Sequence, residues 1–461
     1  MQFWISLALA LTLLTLPARA GDVFSPDRWL RHVEEDLLPF WAHPDALGES
    51  PGLFPSMRCN DGRVFDPDSP CPEIANWPWM KPHRHYVVAL SRQVYSYGVA
   101  FHMTGEVRYL DHMRQGMALL MGPARLPDGR GHYEFYDAET ESWGFDGSGL
   151  DLQKQSYALL GPAFYFYLTR ERAVLDMILE THAAMKADYK TSPKLVAYLD
   201  QINTFYALLT PLLDDADRAG WDREMRTIAR EMVERFYAPD HNVFLTNLET
   251  QDASAPIPPA VDFGHTIKTF WFLQMIGALT GDRDLVDTST DRGRRVLATA
   301  QDPVTGAWRT GYDGQGTLIP DLSWWIYAEH SQFAASLALS DPSVRASLRD
   351  AHAFWLRDFI DHDHGGSFTR LYASNPPGAR REAKHWVWKA GFHEFEHALV
   401  AYITGSGLSG EPIDLHYAFE TPPDYLHPYF YRAESAVAAD PVATSQGPVT
   451  RVTFSGISFA E

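Results

Sequence analysis

Apolar residues recur along this chain with the spacing of helices that bury most of their surface. Stretches with an apolar period of about 3.6 residues dominate, and strand-like alternation is rare before the C-terminal tail. This pattern predicts a mostly helical protein. Short turn signals end the apolar stretches at intervals of about 60 residues, apart from one shorter step. They are Thr104-Gly-Glu106, Thr169-Arg-Glu171, Asp214 to Gly220, Thr280-Gly-Asp282, Ser340-Asp-Pro342 and Thr404-Gly405.

Six units of two helices each predict an all-α fold, an (α/α)6 barrel in which a ring of hairpins buries both helix faces. The alternative is an open α-solenoid, but such repeats usually span about 33 to 47 residues with a recognisable consensus. Here the units are longer and carry sizeable loops, which a barrel places on the rim that holds its site. Those loops cover residues 50–80, 122–150, 238–262 and 301–322. We expect the barrel over 21–420 and a short extended tail over 421–461.

The repeat also predicts which residues share one end of the barrel. Equivalent helix starts of a ring converge, and nearly all of these starts are polar although their helices are otherwise apolar. They are Arg92, Lys154, Asn203 with Thr204, His265, Trp325 with Glu329, and His393. Helix N-termini would bias this end positive. Because histidine is the side chain best suited to move protons near neutral pH, His265 and His393 form a candidate acid–base pair.

The same residues have purely structural interpretations. A histidine in an apolar helix is usually a hydrogen-bonded core residue, although two at equivalent ring positions make that less compelling. Arg92 and Glu329 would serve equally as a buried ion pair that holds helices in register. Trp325 would serve as plain core, and Lys154 and Tyr157 as partners of a neighbouring helix's carbonyls.

The N-terminus and the cysteines point to an exported protein. Residues 1–20 have the features of a secretory signal peptide, with an apolar run that leads to Pro17-Ala-Arg-Ala20. That run is too short to span a bilayer comfortably, although an uncleaved anchor is the alternative. In an oxidising compartment Cys59 and Cys71 favour a disulfide that closes one loop. The predicted location is periplasmic or secreted.

Charge and composition narrow the partners. The chain has 39 basic and 59 acidic residues and a net charge of −20, which argues against nucleic acid and anionic membrane surfaces. Its 14 Trp, 21 Tyr and 26 Phe suit a protein that stacks aromatic rings on sugars, and they also suit a large core. No cysteine or histidine spacing is typical of zinc, and the sequence leaves monomer and homodimer equally open.

Several motifs between Trp29 and Tyr402 resemble those of the N-acylglucosamine 2-epimerase and cellobiose 2-epimerase superfamily, which also contains mannose isomerases. Arg92 stands where the family has an arginine in its first inner helix. Four further segments are similar to family motifs: Lys154-Gln-Ser-Tyr157, Phe263-Gly-His265-Thr-Ile-Lys268, Trp324-Trp325-Ile-Tyr-Ala-Glu329 and Trp388-Lys389-Ala-Gly-Phe-His393. The resemblance therefore implies the same barrel.

For function, the resemblance implies epimerisation or isomerisation of an opened sugar without metal or cofactor. It assigns proton transfer at C2 to His265 and His393. It implies substrate contact for the motif residues Arg92, Lys154, Tyr157, Trp325, Glu329 and Trp388, and we expect contact also from Asn203 and Lys268, which stand at positions where the chain departs from the family. The substrate would be a mono-, di- or oligosaccharide.

The chain departs from the family at three motif positions. The third inner helix offers Asn203 and Thr204 where the family's epimerases carry a further histidine. Lys268 replaces a glutamate, which favours an acidic sugar, and Tyr327 replaces a glutamine. The sequence therefore leaves two other classes open. One is a glycoside hydrolase or polysaccharide lyase, with Asp262, Glu329, Glu394 and Glu396 as candidate carboxylates. The other is a glycan-binding protein without catalysis.

Overall fold

The chain is mostly helical in a computed structural model, as the sequence predicts. The structure describes residues 22–75, 77, 81–147, 150–188, 194–249, 252, 254–372, 382–419, 421 and 423–459. The predicted signal peptide lies outside the described residues. Within the described ranges, no helix combines the length and apolar character needed to cross a membrane.

Six inner helices form a ring, whose interior we call the chamber, and they are buried almost throughout. Because every face of an inner helix meets a neighbour, these helices lack a polar face. Their ranges are Val87–Thr104, Leu152–Ala158 with Leu160–Thr169, Leu195–Gln201 continuing through Ile202–Tyr206 to Ala207–Leu209 and Thr210–Leu212, Phe263–Thr280, Trp324–Ala338, and Phe392–Ser409.

Six outer helices surround this ring and are amphipathic. The helix Arg283–Ala300 shows the pattern, because it buries Ser289, Gly293, Val296, Leu297 and Ala300 on one side. The outer ranges are Pro26–Arg31 continuing through His32–Leu37 to Leu38–Trp41, Val107–Met121, Arg172–Asp188, Asp215–Glu231 with Met232–Phe236, Arg283–Ala300, and Arg345–Phe354 with Trp355–Phe359.

The ring of inner helices is closed. Each inner helix packs against the next, and the sixth packs against the first. Each outer helix lies against an inner one, which gives the twelve helices of an (α/α)6 barrel. The predicted fold class is therefore confirmed, and the open solenoid is excluded because a solenoid's ends do not meet.

Short strands lie where loops enter the inner helices, at the chamber end that holds His265 and His393. They pair as Arg84–Tyr86 with Phe135–Asp137 and Ser142–Gly144, Val261–Asp262 with Gly311–Tyr312, and Leu322–Ser323 with Arg370–Leu371. A further hairpin joins Tyr237–Ala238 to Val243–Phe244. Single helical turns cover Pro44–Ala46, Pro72–Ala75 and Pro342–Val344. Cys59 and Cys71 form a disulfide in the first rim loop.

The C-terminal region forms a sheet and closes the opposite end of the barrel. Its strands are Ile413–Tyr417, Arg432–Ala438, Val442–Thr444 and Gly447–Ser458, so the sheet begins before residue 421. Residues His427–Tyr431, which we call the C-terminal plug, enter the space between the inner helices. Tyr429 is 1% exposed, its hydroxyl donates to Glu396 Oε1 at 2.7 Å, and Tyr431 shares a 2.7 Å hydrogen bond with Ser336.

Candidate active site

His265 is fixed by the residue that begins its own helix. Asp262 is the N-cap of Phe263–Thr280, and its Oδ1 accepts a 2.7 Å hydrogen bond from the backbone nitrogen of His265. The other oxygen of the same carboxylate, Oδ2, lies 2.7 Å from His265 Nδ1. One side chain therefore caps the helix and orients the imidazole, which leaves Nε2 for a substrate.

Gly264 explains how Trp325 reaches this histidine. A Cβ at Gly264 would lie 2.6 Å from the Trp325 ring, so glycine allows the indole to lie against the helix start. The ring centroids of His265 and Trp325 are 4.8 Å apart, and those of Trp325 and His393 are 5.9 Å apart. Both histidines therefore contact the same indole, as the repeat predicts.

His393 is backed by a carboxylate that is deeper in the barrel. Its helix begins after Gly391, which has a φ of +87° and whose Cβ would lie 2.5 Å from Ser96 Oγ. His393 Nδ1 lies 3.2 Å from Glu329 Oε1. The same oxygen is 3.2 Å from Lys268 Nζ, so Glu329 serves an imidazole and an ammonium at once. Glu329 is fully buried.

The two histidines have pKa values shifted in opposite directions. Burial alone would lower the pKa of His265, but Asp262 outweighs it and the pKa is raised above 6.5. For His393 burial dominates, and Lys268 and Arg92 add to it, so its pKa falls to about 3 despite Glu329. At neutral pH the site therefore holds a neutral imidazole at His393 and a readily protonated one at His265.

Lys268 is the main positive charge at the chamber centre. Burial disfavours its ammonium, but Glu329, Tyr157 and Asp200 outweigh this and raise its pKa. Burial alone would raise the pKa of Glu329, but Lys268 and His393 hold that pKa below its ordinary value. Both groups are thus ionised. Glu329 makes its ion pair with Lys268, whereas the sequence suggested Arg92 as the partner.

Arg92, Tyr157 and Trp388 form a second part of the chamber wall. The guanidinium of Arg92 lies 4.0 Å above the Tyr157 ring and 5.3 Å from the Trp388 ring, and it donates to the Trp388 carbonyl oxygen. Trp325 and Trp388 are partly exposed, whereas Arg92 and Tyr157 are buried. The wall therefore presents aromatic faces at the mouth and charge below them.

The third inner helix supplies groups that the sequence predicts and one that it does not. Asn203 is 2% exposed, and both amide atoms have no hydrogen-bond partner among the described residues. Asp200, three residues earlier, accepts a 3.0 Å hydrogen bond from Tyr157 and was not anticipated. An aspartate and an asparagine one turn apart in an apolar helix were the available signal. The Thr204 hydroxyl donates a hydrogen bond to the backbone carbonyl oxygen of Asp200.

One further carboxylate, Glu396, and a glutamine, Gln332, are buried at the deep end of the chamber. Glu396 is buried one turn below His393, and burial and Glu329 raise its pKa. Both side-chain amide atoms of Gln332 lack a partner among the described residues. Glu329, His393 and Glu396 each place a ligand atom within 4.8 Å of the others, a donor set that suits a cation. Lys268 already supplies positive charge there.

Other sequence candidates have partners outside this cluster. Lys154 Nζ binds Glu134 Oε2 at 2.7 Å, near the rim sheet. Glu394, a candidate carboxylate for hydrolysis, accepts hydrogen bonds from Trp41, Ser367 and Lys389. These contacts tie the sixth inner helix to its surroundings, and they leave Glu394 no free oxygen for a substrate.

Comparison with solved structures supports the barrel fold. No protein-family profile and no curated protein matches the chain. A sugar epimerase from a ruminal bacterium superposes with a TM-score of 0.66 at 16% identity, over 84% of this chain and 99% of its own. Cellobiose 2-epimerase from Bacillus thermoamylovorans gives 0.66 at 13%, over 82% and 98%, and a D-mannose isomerase gives 0.63 at 16%, over 84% and 99%. At these identities the likeness establishes the fold that the resemblance implies.

Proposed function

We propose that this protein is a carbohydrate epimerase or isomerase that moves a proton at the carbon beside an exposed sugar carbonyl. The observation that carries this proposal is the pair of histidines, each backed by a carboxylate, whose pKa values are shifted in opposite directions. Such divergence is what assigns one group as base and the other as acid. Solved structures with the same barrel are described as sugar epimerases and a mannose isomerase.

In the proposed reaction His393 Nε2 removes the C2 proton of an open-chain aldose. Its Nδ1 lies against Glu329, whose charge stabilises the imidazolium that forms. The electron pair of the C–H bond moves into an enediolate, whose negative oxygen is stabilised by the cations Arg92 and Lys268. His265 returns a proton to C2 from the opposite face for epimerisation, or to C1 for isomerisation, in which case the proton of the C2 hydroxyl passes to O1 and C2 becomes the carbonyl.

We propose a neutral saccharide as the substrate. Trp325 and Trp388 offer aromatic faces for stacking at the mouth, and Asn203 and Gln332 offer unpaired amide atoms below. The acidic-sugar hypothesis depends on an uncompensated Lys268, but Glu329 lies 3.2 Å from its ammonium. Preferred turnover of a uronic acid over the matching neutral sugar would contradict this assignment.

We also propose export to the periplasm or the medium. The Cys59–Cys71 disulfide supports this location because disulfides persist in oxidising compartments. The predicted signal peptide over residues 1–20 gives the route. Expression with the native leader should yield protein in the periplasmic or culture fraction that begins near Gly21 by N-terminal sequencing, and full-length protein in the cytosolic fraction would contradict it.

The arrangement favours proton transfer over the two alternatives that the sequence leaves open. Among the candidate carboxylates for hydrolysis, Glu329 lies against Lys268 and His393, Asp262 lies against His265, and Glu394 accepts from three donors, so these three are engaged by other side chains. A glycan-binding protein would have no need for two histidines with orienting carboxylates.

A heavy-water exchange screen tests the proposal. Free mono- and disaccharides, with uronic acids included, are incubated with the protein in D2O and followed by NMR for deuterium at C1 or C2. His265→Ala and His393→Ala should each lower the rate by about 10²-fold or more. His362→Ala, at a histidine that is 57% exposed, is the matched control and should keep the rate. Full exchange by both site variants would exclude the mechanism, and new reducing ends or an unsaturated uronate would indicate hydrolysis or elimination.

A further inference from the structure

Asp200 is a buried carboxyl group that the proton transfer at C2 does not use. It is 2% exposed in the third inner helix, and one oxygen accepts the Tyr157 hydroxyl at 3.0 Å. Its other oxygen, Oδ2, has no hydrogen-bond partner among the described residues. A buried carboxylate oxygen without a donor costs free energy, so its presence calls for a partner that arrives from outside the chain.

The surroundings of Asp200 place it on the chamber of the two histidines. Lys268, His265 and Arg92 all act on its charge, although burial raises its pKa overall. Asn203, one turn along the same helix, also has unpaired side-chain atoms. Burial and Asp200 raise the pKa of Tyr157, while the Lys268 ammonium and the Arg92 guanidinium, which lies 4.0 Å over the Tyr157 ring, act in the opposite direction and would stabilise negative charge on the phenol oxygen.

The proposed reaction creates a need that the two histidines do not meet. Aldoses are mostly cyclic, and C2 becomes acidic only after the ring opens to a carbonyl. Opening requires a base at the anomeric hydroxyl and an acid at the ring oxygen, both positioned at one face of the sugar. Two hydrogen-bonded groups of opposite role suit this task.

We infer that Asp200 and Tyr157 open the sugar ring as a coupled acid–base pair. Asp200 Oδ2 takes the proton of the anomeric hydroxyl, and the O–H electron pair forms the carbonyl. The bond between C1 and the ring oxygen breaks, and its electrons go to that oxygen, which receives the proton of Tyr157. The proton on Asp200 then passes to the Tyr157 phenolate, so the pair returns to its starting state.

This inference rests on the proposed function, because it supplies the open-chain form on which the histidines act. The two steps can be measured separately. Ring opening alone interconverts the anomers of a sugar, and it needs no C–H bond to break. Deuterium incorporation needs both steps.

The test follows freshly dissolved α-anomers of D-mannose, D-glucose and cellobiose, by polarimetry for anomerisation and by NMR for deuterium at C1 or C2. The wild-type protein should accelerate both in at least one sugar. Asp200→Asn and Tyr157→Phe should each lower both rates by about 10²-fold or more. His393→Ala should lose deuterium incorporation and keep anomerisation. Asp176→Asn, at an outer-helix aspartate that is 56% exposed, is the matched control.

The outcomes separate the two ideas. Anomerisation at the wild-type rate in both Asp200→Asn and Tyr157→Phe would overturn the inference and leave the proposed function standing. Anomerisation by the wild-type protein without deuterium in any sugar would contradict the proposed function and leave the ring-opening pair supported. No acceleration of either process would overturn both. Circular dichroism checks that each variant is folded. If Asp200→Asn is unfolded, the result for Tyr157→Phe is used to test the inference.

Discussion

The two histidine–carboxylate pairs of the chamber differ in how their charge is balanced. At the outer end of the chamber, His265 is 23% exposed and its Nδ1 lies 2.7 Å from the carboxylate of Asp262. Deeper in the barrel, His393 is 7% exposed and shares Glu329 with Lys268. The Asp262 carboxylate has no ammonium beside it in the described residues, whereas the Glu329 carboxylate is paired with the ammonium of Lys268. The same kind of pair thus accompanies a raised imidazole pKa at His265 and a lowered one at His393.

The comparison teaches that a carboxylate beside a histidine does not fix the role of that histidine. Burial favours the neutral imidazole in both places, and the balance depends on the charge that the carboxylate has left. The deeper burial of His393 and the charge of Lys268 beside Glu329 both separate the two pairs. Three experiments test how charge is balanced in the two pairs.

The largest effect is expected from Lys268→Met. This substitution leaves Glu329 buried beside a neutral histidine, so the free energy of unfolding should fall by about 3–5 kcal/mol. Urea denaturation measures it. Lys268→Met with Glu329→Gln should recover most of the loss, because no buried charge is then unpaired.

The matched control is Lys186→Met, which removes a 60% exposed lysine from its pair with Glu224. An exposed pair contributes about 0–1 kcal/mol, so stability should change little. Equal losses for Lys268→Met and Lys186→Met would show that Lys268 is not compensating a buried charge.

An intermediate effect is expected from Asp262→Asn. If His265 acts as the imidazolium, activity falls as pH rises through its raised pKa. Losing the carboxylate lowers that pKa, so the alkaline limb of the exchange rate should move to lower pH. At pH values on that limb the rate should drop by up to about 10²-fold.

Asp282→Asn is the control for the helix cap. Asp282 caps the outer helix Arg283–Ala300 through Leu285 and has no histidine partner among the described residues. It should lose stability without moving the pH profile of exchange. A shift in both variants, or in neither, would contradict the role of Asp262.

The smallest effect is on the pH dependence of stability. His393 titrates at about 3 when folded and at an ordinary 6.5 when unfolded, so between these values stability falls as pH falls. His265 acts in the opposite sense, since its contribution is present below 6.5 and is lost as pH rises through its raised pKa. Replacing His393 with Asn should flatten the acid slope by at most about 1.4 kcal/mol per pH unit.

Urea midpoints at a series of pH values measure this difference. The same substitution at His265 should not flatten the acid slope, because that histidine gains a proton on folding. Identical slopes for the two variants would mean that the two rings do not differ in charge.

The sequence predicts the barrel and much of the chamber, because both follow from local patterns. Apolar periodicity and the turn signals define the helices, and the repeat brings His265 and His393 to one indole. The contact of Lys154 does not follow from the repeat, because its partner Glu134 comes from a rim loop. The Lys268–Glu329 pair joins neighbouring helices 61 residues apart in sequence, and no local pattern specifies it.

Asp200 and the C-terminal plug show where sequence patterns stop. Asp200 stands in the apolar stretch Leu195–Gln201, where one polar residue has many ordinary explanations. The plug has no regular period, and its position depends on tertiary contacts with several inner helices at once. Tyr429 adopts a φ of +55°, a conformation that only the packed barrel holds in place.

The C-terminal plug has a consequence for how a substrate could reach the chamber. Because His427–Tyr431 lie between the inner helices at the far end, the proposed sugar substrate would enter and leave at the end that holds His265. A cleavage reaction would have to discharge two fragments through that one opening, one behind the other. An epimerisation or isomerisation exchanges one molecule for another of identical composition, so a single opening is sufficient for it.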